Sequence, residues 1–593
     1  MLLSNREQIY IKEVPFMAYI IDQKNCSCCH LCDLQCPVHA IHMRNHKYWI
    51  DPDECIECGT CAENCHNHAI SNPDIPKEEA APHEKTFKTC DLLVIGGGAS
   101  GITAAAKAQD MGLKVICMEK NWEVGGSAYF GHMMRVLYSK WHREAGLNDP
   151  RPDMIRQFEE RTEGRCNNDL LRRCMKANEE LTDWLIDLGE LQKGFAFGKT
   201  HHGPGLVYTY RDEYSKLRSD PATGPGDSGW YITNLLANLF RRKGGEILFN
   251  TRAVKLIEEN GRVVGAIGRD PGGETEIRAK AVIMAAGTYS RNVELMNKMQ
   301  PCFYKDFEEN PVHIYAAADC TGDGILMCED IGADIDYKNK RAVIFGPIHH
   351  PYSYSVLMMD RAANASAILV GKYGDYIEKE GAPFMPELDL LSDKPGRVGW
   401  SILDQNAWDS AYAFCRDSDD PDDQMSFVHL ERDLANELRD GSVVKADTLE
   451  ELAEKLGFAR NKLADIVAWH NEKLNSTPPA SERHFDPDDF MAAMMARMPK
   501  AAPLERGPYY AIYEGCFQEN AIGGMTIDEK TRVQRGGKPL PGLYACGDNT
   551  RGIMLSGDIG VGFIEMILSA MTYAMTSGYS AAEEAAAYIA EIE

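Results

Sequence analysis

Eight cysteines near the amino terminus have the spacing of ligands for an inorganic centre. They form two runs of the pattern C-x2-C-x2-C-x3-C: Cys26, Cys29, Cys32, Cys36 and then Cys55, Cys58, Cys61, Cys65. The repeat extends past the cysteines, because CPVHAI at Cys36 is matched by CHNHAI at Cys65. The pattern predicts an internal duplication in which thiolates bind metal.

Two other uses of these cysteines compete with an iron–sulfur site. Nine of the 19 cysteines fall between Cys26 and Cys65 of a 593-residue chain, and Arg6 and Glu7 interrupt what a secretory signal would need as an apolar core. A disulfide framework is therefore disfavoured. Structural zinc sites also use C-x2-C pairs, but they take four ligands in two separated pairs. Three closely spaced cysteines followed by a fourth favour iron–sulfur clusters.

The region resembles the bacterial two-cluster ferredoxins. In that family three closely spaced thiolates hold one [4Fe–4S] cluster, and the fourth cysteine of the run binds the other cluster. The resemblance implies two ligand sets: Cys26, Cys29, Cys32 with Cys65, and Cys55, Cys58, Cys61 with Cys36. It assigns no role to Cys28, and His66 stands where the family has its second proline.

A glycine-rich turn follows a short apolar run of strand type. The run is Asp91–Ile95 (DLLVI), the turn is GGGASG from Gly96, and ITAAAKAQDMG then has helical character. We expect Gly96 to permit the tight turn, Gly98 to let the backbone approach a pyrophosphate, and Gly101 to allow close helix packing. The helix N-terminus at Ala99 and Ser100 would face the negative phosphates.

A second strand, KVICMEK, ends in Glu119 and Lys120. An acid about 20 residues after the turn accepts hydrogen bonds from ribose hydroxyls, which favours FAD or NAD over NADP. Gly125-Gly126-Ser127 and the distant GLYACGD, ending in Gly547 and Asp548, resemble FAD-binding enzymes. A strand ending in an ordinary turn is the alternative for GLYACGD.

Between these segments, Asn260-Gly261 predicts a hairpin. The run AKAVIMAAG predicts a buried strand that ends near Gly287.

From Asp91 onward the chain resembles the flavoproteins of the fumarate reductase and succinate dehydrogenase superfamily, which also contains 3-ketosteroid dehydrogenases. Seven separated segments carry the resemblance: GGGASG at Gly96, AAGTYSRN at Ala285, TGDGILM at Thr321, AILVGKYGDYI at Ala367, PYYAIYEG at Pro508, AIGGMTID at Ala521 and GLYACGD at Gly542. It implies these FAD-binding residues: Gly96, Gly98, Ala99, Ser100, Gly101, Glu119, Lys120, Gly125, Gly126, Ser127, Ala253, Val254, Ala286, Gly287, Asp323, Gly547, Asp548, Gly560 and Val561.

The expected fold class is α+β multidomain: a ferredoxin-like 2[4Fe–4S] module, a Rossmann-type α/β FAD-binding domain and an inserted α+β capping domain. The expected boundaries are a ferredoxin domain at 1–75, a linker at 76–89, the FAD domain in two parts at 90–344 and 506–593, and the cap at 345–505. Within the cap, residues 446–474 have the apolar spacing of two amphipathic helices.

Three departures from the family bear on the substrate. The segment where the family has substrate-binding histidines runs from Glu519 to Gly524 without histidine. Asp558 stands where fumarate reductases have a carboxylate-binding arginine, and DYIEKEGAPFMPELD lacks the arginine that donates a proton. At an effective dielectric near 20, a substrate carboxylate at about 4 Å from Asp558 would be repelled by about 4 kcal/mol. Fumarate is therefore not expected.

Several residues are candidates for proton transfer or for stabilising a developing enolate. These are Asp558, Glu519, Arg551, Tyr129, Tyr373 and Arg397. Asp558 has an alternative role as the N-cap of the helix that follows it. That helix begins near Gly560, and its positive end is expected to point toward the flavin.

Composition excludes some partners. A net charge of −26 disfavours nucleic acid and anionic lipid, and no stretch approaches about 18 uncharged apolar residues. We expect a cytoplasmic protein without membrane insertion, with homo-oligomer formation left open. Its partners would be a small unsaturated substrate and an external one-electron donor or acceptor, such as a ferredoxin, a flavodoxin or an NADH-oxidising subunit.

The expected activity is reduction of a conjugated C=C by hydride transfer from FAD, with electrons arriving through two [4Fe–4S] clusters. Two alternatives stay open. The same parts could run in reverse as a ketone or steroid dehydrogenase, or the chain could relay electrons between proteins without a small-molecule substrate.

Overall fold

The computed structural model describes residues 19–22, 32, 36–38, 40–44, 47–63, 65, 69–73, 85–130, 136–162, 166–200, 203–210, 228–299, 313–314, 320–337, 344–347, 356, 359, 362–363, 366–377, 391, 394–417, 430–476, 501–518, 523–553 and 570–592. The chain divides into two compact units, Met1–Ala80 and Ala81–Glu593.

The first unit contains short strands around a small apolar core. Strand β1 (Ile20–Ile21) pairs antiparallel with β4 (Ile70–Ser71), and β2 (Ile41–Arg44) pairs antiparallel with β3 (Lys47–Ile50). Helix α1 is Thr60–Glu63. Cys61 is part of the core, and four other cysteines pack against it: Cys32, Cys36, Cys55 and Cys65. Apolar burial therefore helps to gather the thiols in one place.

The second unit is built on an eight-stranded sheet. Its strands are β5 (Thr86–Ile95), β6 (Val115–Met118), β9 (Glu246–Leu248), β10 (Arg252–Glu259), β11 (Arg262–Asp270), β12 (Gly273–Met284), β22 (Arg532–Arg535) and β23 (Lys538–Ala545). The order β9-β6-β5-β12 is parallel, and β23 adds to the end of β12 in parallel. The antiparallel strands β10 and β11 continue the sheet from the first half of β12.

Both faces of this sheet are covered, as a parallel sheet requires. Leu92 and Val94 of β5 belong to one core cluster, whereas Leu93 and Ile95 belong to another. On the first face lie α2 (Ala99–Asp110) and α13 (Ala570–Ile592), which pack against each other. The contact is close, since a Cβ on Gly578 would lie 2.2 Å from the carbonyl oxygen of Ser100. The continuous apolar run DLLVI is thus explained by burial on both sides.

Other elements surround the sheet. The helices are α3 (Lys140–Glu144), α4 (Arg151–Thr162), α5 (Asn168–Asp187), α6 (Ser228–Arg242), α7 (Val293–Met299) and α8 (Asp323–Asp330). Strands β7 (Leu191–Thr200) and β8 (Gly203–Tyr210) form an antiparallel pair, and β14 (Ile335–Asp336) pairs antiparallel with β21 (Gly524–Met525).

A second sheet has seven strands. They are β13 (His313–Ile314), β15 (Ile344–Pro347), β16 (Ile368–Gly371), β17 (Tyr376–Ile377), β18 (Val398–Leu403), β19 (Val443–Ala446) and β20 (Tyr509–Gln518). Strand β20 is its centre, because it pairs with β13, β15, β18 and β19. Strand β20, which lies in the range 506–593, pairs with β18 and β19 from the range 345–505, and the domain boundaries stay a prediction.

Helices α9 (Gln405–Asp417), α10 (Leu430–Asp440), α11 (Leu449–Lys455) and α12 (Lys462–Ser476) accompany the second sheet. The two amphipathic helices predicted over residues 446–474 correspond to α11 and α12, which confirms them. Leu452 and Leu463 contribute their apolar faces to the same core as Ile402 of β18.

Two local expectations have clear outcomes. The hairpin predicted at Asn260-Gly261 is present between β10 and β11, with left-handed φ values of 52° and 77° at these residues. The linker predicted at 76–89 ends too late, because β5 begins at Thr86. Among the described residues, no helix is both long and apolar enough to cross a membrane.

Candidate functional site

A cavity of about 1120 Å³ opens at the carboxyl ends of the parallel strands. Its walls come from the turn after β5, the residues after β6, the start of β10, the residues after β12 and the loop after β23. In open α/β sheets, ligands bind outside the carboxyl ends of the strands.

The first wall is the glycine-rich turn. Gly96 has φ 106°, and a Cβ there would lie 2.2 Å from the carbonyl oxygen of Ala285. A Cβ on Gly101 would lie 1.8 Å from the carbonyl oxygen of Gly96. Gly98 precedes α2 and lines the cavity, so the free N–H groups of the first helical turn, at Ala99 and Ser100, face that space. The turn can therefore accept an anionic group at the helix N-terminus.

Glu119 is held in place by two backbone donors. Its Oε2 accepts a hydrogen bond from the Gly97 N–H at 2.6 Å, and its Oε1 accepts one from the Asn121 N–H at 2.8 Å. The residue is 5% exposed and lines the cavity. A carboxylate oxygen can accept more than one hydrogen bond, so the group can also accept from ribose hydroxyls.

Asp323 lies in a cluster of cations on the same side of the cavity. Lys120 Nζ is 3.0 Å from Asp323 Oδ2, and Arg252 Nε donates to that oxygen at 2.9 Å. Burial opposes ionisation of the Asp323 carboxyl, but Lys120 and Arg252 outweigh it and hold its pKa below the usual range. The three groups form an ion-pair cluster in the cavity wall, and its two cations can also attract the phosphates of a ligand.

The opposite wall comes from β12 and β23. Gly287 has φ 75°, and a Cβ there would meet no atom within 4 Å, so a side chain would extend into open space. A Cβ on Gly547 (φ 71°) would lie 2.5 Å from Ser100 Oγ. Asp548 follows, and burial raises the pKa of its carboxyl to about 6. A buried carboxyl of this kind is stabilised by donors such as the hydroxyls of a ribitol chain.

Most of the predicted cofactor residues meet in this cavity. Those that line it are Gly96, Gly98, Ala99, Ser100, Glu119, Lys120, Gly125, Gly126, Ser127, Ala253, Ala286, Gly287, Asp323 and Asp548. Gly101, Val254 and Gly547 are not among the lining residues. Gly101 and Gly547 instead allow close packing against Gly96 and Ser100, which do line the cavity. Gly560 and Val561 lie outside the described residues. The glycines that leave space, together with the acids at both sides, fit an extended dinucleotide such as FAD.

Arg252 and Cys320 are among the lining residues that sequence reasoning missed. Arg252 begins β10 and Cys320 precedes α8, and neither stands in a motif that names it. Cys320 Sγ is 3.2 Å from Ser127 Oγ, which joins the residue after Gly125-Gly126 to the segment before Asp323. Their position depends on contacts between remote parts of the chain, so spacing alone carried no signal.

Arg551 contacts residues outside the cavity. Its N–H donates to the carbonyl oxygen of Met525 at 2.8 Å, and its Nε is 2.7 Å from Asp336 Oδ2. These bonds connect the loop after β23 with both strands of the β14–β21 pair. The ion pair with Asp336 fixes the side chain of Arg551. Its role in proton transfer stays a prediction.

The other predicted catalytic residues are not brought together by the described chain. Tyr373 is 64% exposed on the turn between β16 and β17. Arg397 is 4% exposed with a left-handed φ of 53° at the start of β18. Neither lines the cavity. Glu519, Asp558 and the side chain of Tyr129 lie outside what the structure describes.

The first unit brings cysteines of both runs together. Burial and the neighbouring Cys55, Cys58 and Cys36 raise the pKa of the Cys61 thiol to about 11. This proximity places Cys36, from the first run, with the triplet of the second run. Cys26 and Cys29 lie outside the described residues.

The two runs have matching backbone contacts to sulfur. The N–H of Ala40 donates to Cys36 Sγ at 3.2 Å, and the N–H of Ala69 donates to Cys65 Sγ at 3.3 Å. Each bond spans four residues of the repeated hexapeptide. Donors of this kind stabilise thiolate ligands, so the residues fit an iron–sulfur cluster.

Comparison with known proteins agrees with these sites. A family model described as FAD binding domain matches residues 91–557, and one described as 4Fe-4S binding domain matches residues 48–71. The chain is 25% identical over 562 residues to the NADH:acrylate oxidoreductase of Vibrio harveyi, covering 86% of this chain and 52% of that protein. The chain therefore spans about half the length of that relative.

Two further similarities extend over most of the other chain. Vinyl phenol reductase of Lactiplantibacillus plantarum is 24% identical over 523 residues, which cover 84% of this chain and 96% of that protein. The solved structure of an open flavocytochrome c3 fumarate reductase superposes with a TM-score of 0.62 at 22% identity, covering 85% of this chain and 79% of that chain. At that identity the likeness concerns the fold.

Proposed function

Because the chain belongs to the FAD binding domain family and also carries a 4Fe-4S segment, we propose that it is an oxidoreductase that reduces the conjugated C=C bond of a neutral or cationic organic substrate. The observation that carries the proposal is the cavity at the carboxyl ends of β5, β6 and β12. Its glycine turn, Glu119 and Asp548 offer an extended dinucleotide hydrogen bonds along its length.

We propose two [4Fe–4S] clusters in the first unit. The 4Fe-4S family match covers the second cysteine run, and the internal repeat supports a second site. The equivalent N–H to sulfur bonds at Cys36 and Cys65 support the same arrangement. In this proposal Cys36 joins Cys55, Cys58 and Cys61, and Cys65 joins the set Cys26, Cys29 and Cys32.

When bound, FAD supplies hydride transfer and the clusters supply single electrons from an external donor protein. The chain's own residues bind and orient the cofactor. Glu119 accepts ribose hydroxyls, Lys120 and Arg252 offset phosphate charge, and the Asp548 carboxyl accepts a hydroxyl of the ribitol chain. Each role follows from the hydrogen-bonding capacity of the group and its place on the cavity wall.

The substrate class rests on charge. Asp558 and Glu519 occupy positions where fumarate-reducing relatives have cationic or imidazole groups, so a dicarboxylate would be repelled. A relative named for vinyl phenol, a neutral compound with a C=C bond, supports this reading. We propose that Asp558 or Glu519 transfers the proton or holds a positive group of the substrate, with Tyr129, Arg397 and Arg551 as the other candidates.

The test is anaerobic reoxidation of the reduced protein. Iron, acid-labile sulfide and bound flavin are first measured, and the protein is then reduced with dithionite. Candidate substrates are 4-vinylphenol, cyclohexenone, acrylate, urocanate and fumarate, and the return of flavin absorbance near 450 nm is followed. We expect reoxidation by a neutral or cationic compound to be at least about 10-fold faster than by fumarate, the factor that corresponds to about 1.4 kcal/mol.

Three results would contradict the proposal. Preparations with zinc in place of iron and sulfide would remove the electron route. Fastest reoxidation by fumarate would remove the charge argument. Reoxidation by a partner protein with no response to any unsaturated compound would favour a relay of electrons between proteins.

A further inference from the structure

Asn549 is a fully buried polar residue at the end of the 3-10 turn that follows β23. It is 0% exposed, and both ends of its amide are used. The Ala286 N–H donates to Asn549 Oδ1 at 2.7 Å. Asn549 Nδ2 donates to the carbonyl oxygens of Cys546, at 2.7 Å, and Met284, at 3.3 Å.

These bonds continue the pairing of β12 and β23 beyond the point where the strands stop. The parallel ladder runs to Met284 and Ala545, and the Cys546 N–H then donates to the Met284 carbonyl oxygen at 3.1 Å. After that the two chains diverge. The amide of Asn549 has the donor and acceptor of a peptide group, so it takes the place of the next rung and satisfies main-chain groups that burial would make costly to leave unpaired.

The two chain segments that Asn549 joins are both cavity walls. Ala286 and Gly287 line the cavity from β12, and Asp548 lines it from the loop after β23. The neighbouring Thr550 also fixes this loop. Its Oγ1 donates to the Gly547 carbonyl oxygen at 2.8 Å and lies 2.8 Å from the Tyr573 hydroxyl. Asn549 is thus the side chain that bonds both walls, in addition to the main-chain bond between Cys546 and Met284.

We propose that Asn549 is a positioning residue for the flavin cofactor: its amide holds the Ala285–Ala286 peptide and, through the Cys546 carbonyl and the loop that follows it, Asp548 in the separation that FAD requires. Asn549 does not line the cavity, so it acts through these neighbours. The inference rests on FAD binding in the proposed function and is independent of the substrate.

The chemistry of the amide makes the role specific. Alanine would leave the Ala286 N–H without this acceptor and would remove both bonds to carbonyl oxygens. An ionised aspartate would keep the acceptor but would place negative charge against the carbonyl oxygens of Cys546 and Met284. A protonated aspartate has one donor and one acceptor, so it regains one of the two bonds that the Asn549 amide donates.

The experiment measures FAD release from the purified holoprotein. Holoprotein is diluted into an excess of an FAD-specific apoenzyme as a trap, and the release rate and the thermal midpoint are recorded for the wild type, Asn549→Ala and Asn549→Asp. The matched control is Asn178→Ala. Asn178 is also 0% exposed, and its Oδ1 accepts the Leu137 N–H at 2.8 Å, but it is not among the cavity-lining residues.

We expect Asn549→Ala to release FAD about 10-fold to 100-fold faster than the wild type, as loss of buried hydrogen bonds and preorganisation predicts. Asn178→Ala should lose a similar amount of thermal stability while its release rate stays within about 2-fold of the wild type. Release from Asn549→Asp should slow as the pH is lowered from 8 to 5, relative to Asn549→Ala over the same range, because the protonated carboxyl regains a donor.

Equal release rates for Asn549→Ala and Asn178→Ala would overturn the inference, since Asn549 would then contribute only to stability. If Asn549→Ala yields too little folded protein, the FAD release rate of Asn549→Asp is compared with that of the wild type from pH 8 to 5. A ratio of the two release rates that does not change with pH would also overturn the inference. A wild type that binds no FAD would instead contradict the proposed function.

Discussion

The eight-stranded and the seven-stranded sheets differ in what places their functional groups. In the first sheet, the cavity is shaped by backbone: glycines at turns, a helix N-terminus and acids directly after strands. In the second sheet, the predicted catalytic residues Tyr373 and Arg397 are single side chains on a turn and before a strand, and neither is among the residues that line the cavity. Sites built from local backbone geometry can be predicted from a sequence, whereas sites built from converging side chains depend on distant pairing.

The strongest test of this contrast is Gly96→Ala. A Cβ at Gly96 would lie 2.2 Å from the Ala285 carbonyl oxygen at a left-handed φ of 106°, so backbone must move. We expect a loss of more than about 3 kcal/mol in unfolding free energy, or no folded protein, and no retained FAD. The readouts are flavin content and chemical denaturation.

Gly112→Ala is the matched control for Gly96→Ala. Gly112 also has a left-handed φ, 92°, but a Cβ there would meet no atom within 4 Å. It should cost only about 1 kcal/mol and keep FAD bound. If Gly96→Ala retained FAD as well as Gly112→Ala does, the turn would not be the determinant we infer.

The first unit, Met1–Ala80, extends the contrast, because its cluster ligands are also predicted from the local spacing of cysteines. Cys61→Ala should remove one cluster and lower the iron content per chain by about half, while FAD stays bound. Cys90→Ala is the control: Cys90 is also buried, but it lies in β5 with its thiol toward the Arg278 carbonyl oxygen. Iron, sulfide and electron paramagnetic resonance of the reduced protein report the outcome. Unchanged iron in Cys61→Ala would exclude it from the ligand set.

The accuracy of the sequence-based expectations follows the same division. The strand–turn–helix at Gly96, the hairpin at Asn260-Gly261 and helices α11 and α12 are local, and all are present. The pairing of β20 with β13 joins residues about 200 positions apart, and no local pattern predicts it. The Asn549 contact to Ala286 joins residues 263 positions apart, and no motif encodes such a contact.

Asp548 offers a smaller, pH-dependent test at the cavity wall. Its folded-state pKa is raised from 3.8 to about 6 by burial, so the folded apoprotein binds a proton more tightly than the unfolded chain does. Stability attributable to this group is present below about pH 4 and is lost as the pH rises to about 6. Asp548→Asn should therefore be more stable than the wild-type apoprotein above pH 6, by at most about 3 kcal/mol, with the difference vanishing near pH 4.

The measurement for Asp548 is the difference in unfolding free energy between wild-type and Asp548→Asn apoproteins from pH 4 to 8. Other groups titrate in both proteins and cancel in the difference. The same variant should bind FAD more weakly, because an amide accepts fewer hydrogen bonds than a carboxylate. A difference that does not change with pH would show that the Asp548 carboxyl is already solvated in the apoprotein.

Tyr373→Phe has the smallest expected effect and tests the second sheet. The phenol is 64% exposed on the turn between β16 and β17, where Lys372 Nζ lies 5.8 Å from its ring centroid. A hydroxyl in bulk solvent transfers no proton within a closed site. The values of kcat and KM, measured with the substrate that the reoxidation experiment identifies, should therefore change by less than about 2-fold. A fall in kcat of more than about 10-fold would mean that this turn reaches the cavity during turnover. In that case closure of the capping region would bring Tyr373 to the reacting atoms. The contrast between the two sheets would then apply only to the unliganded protein.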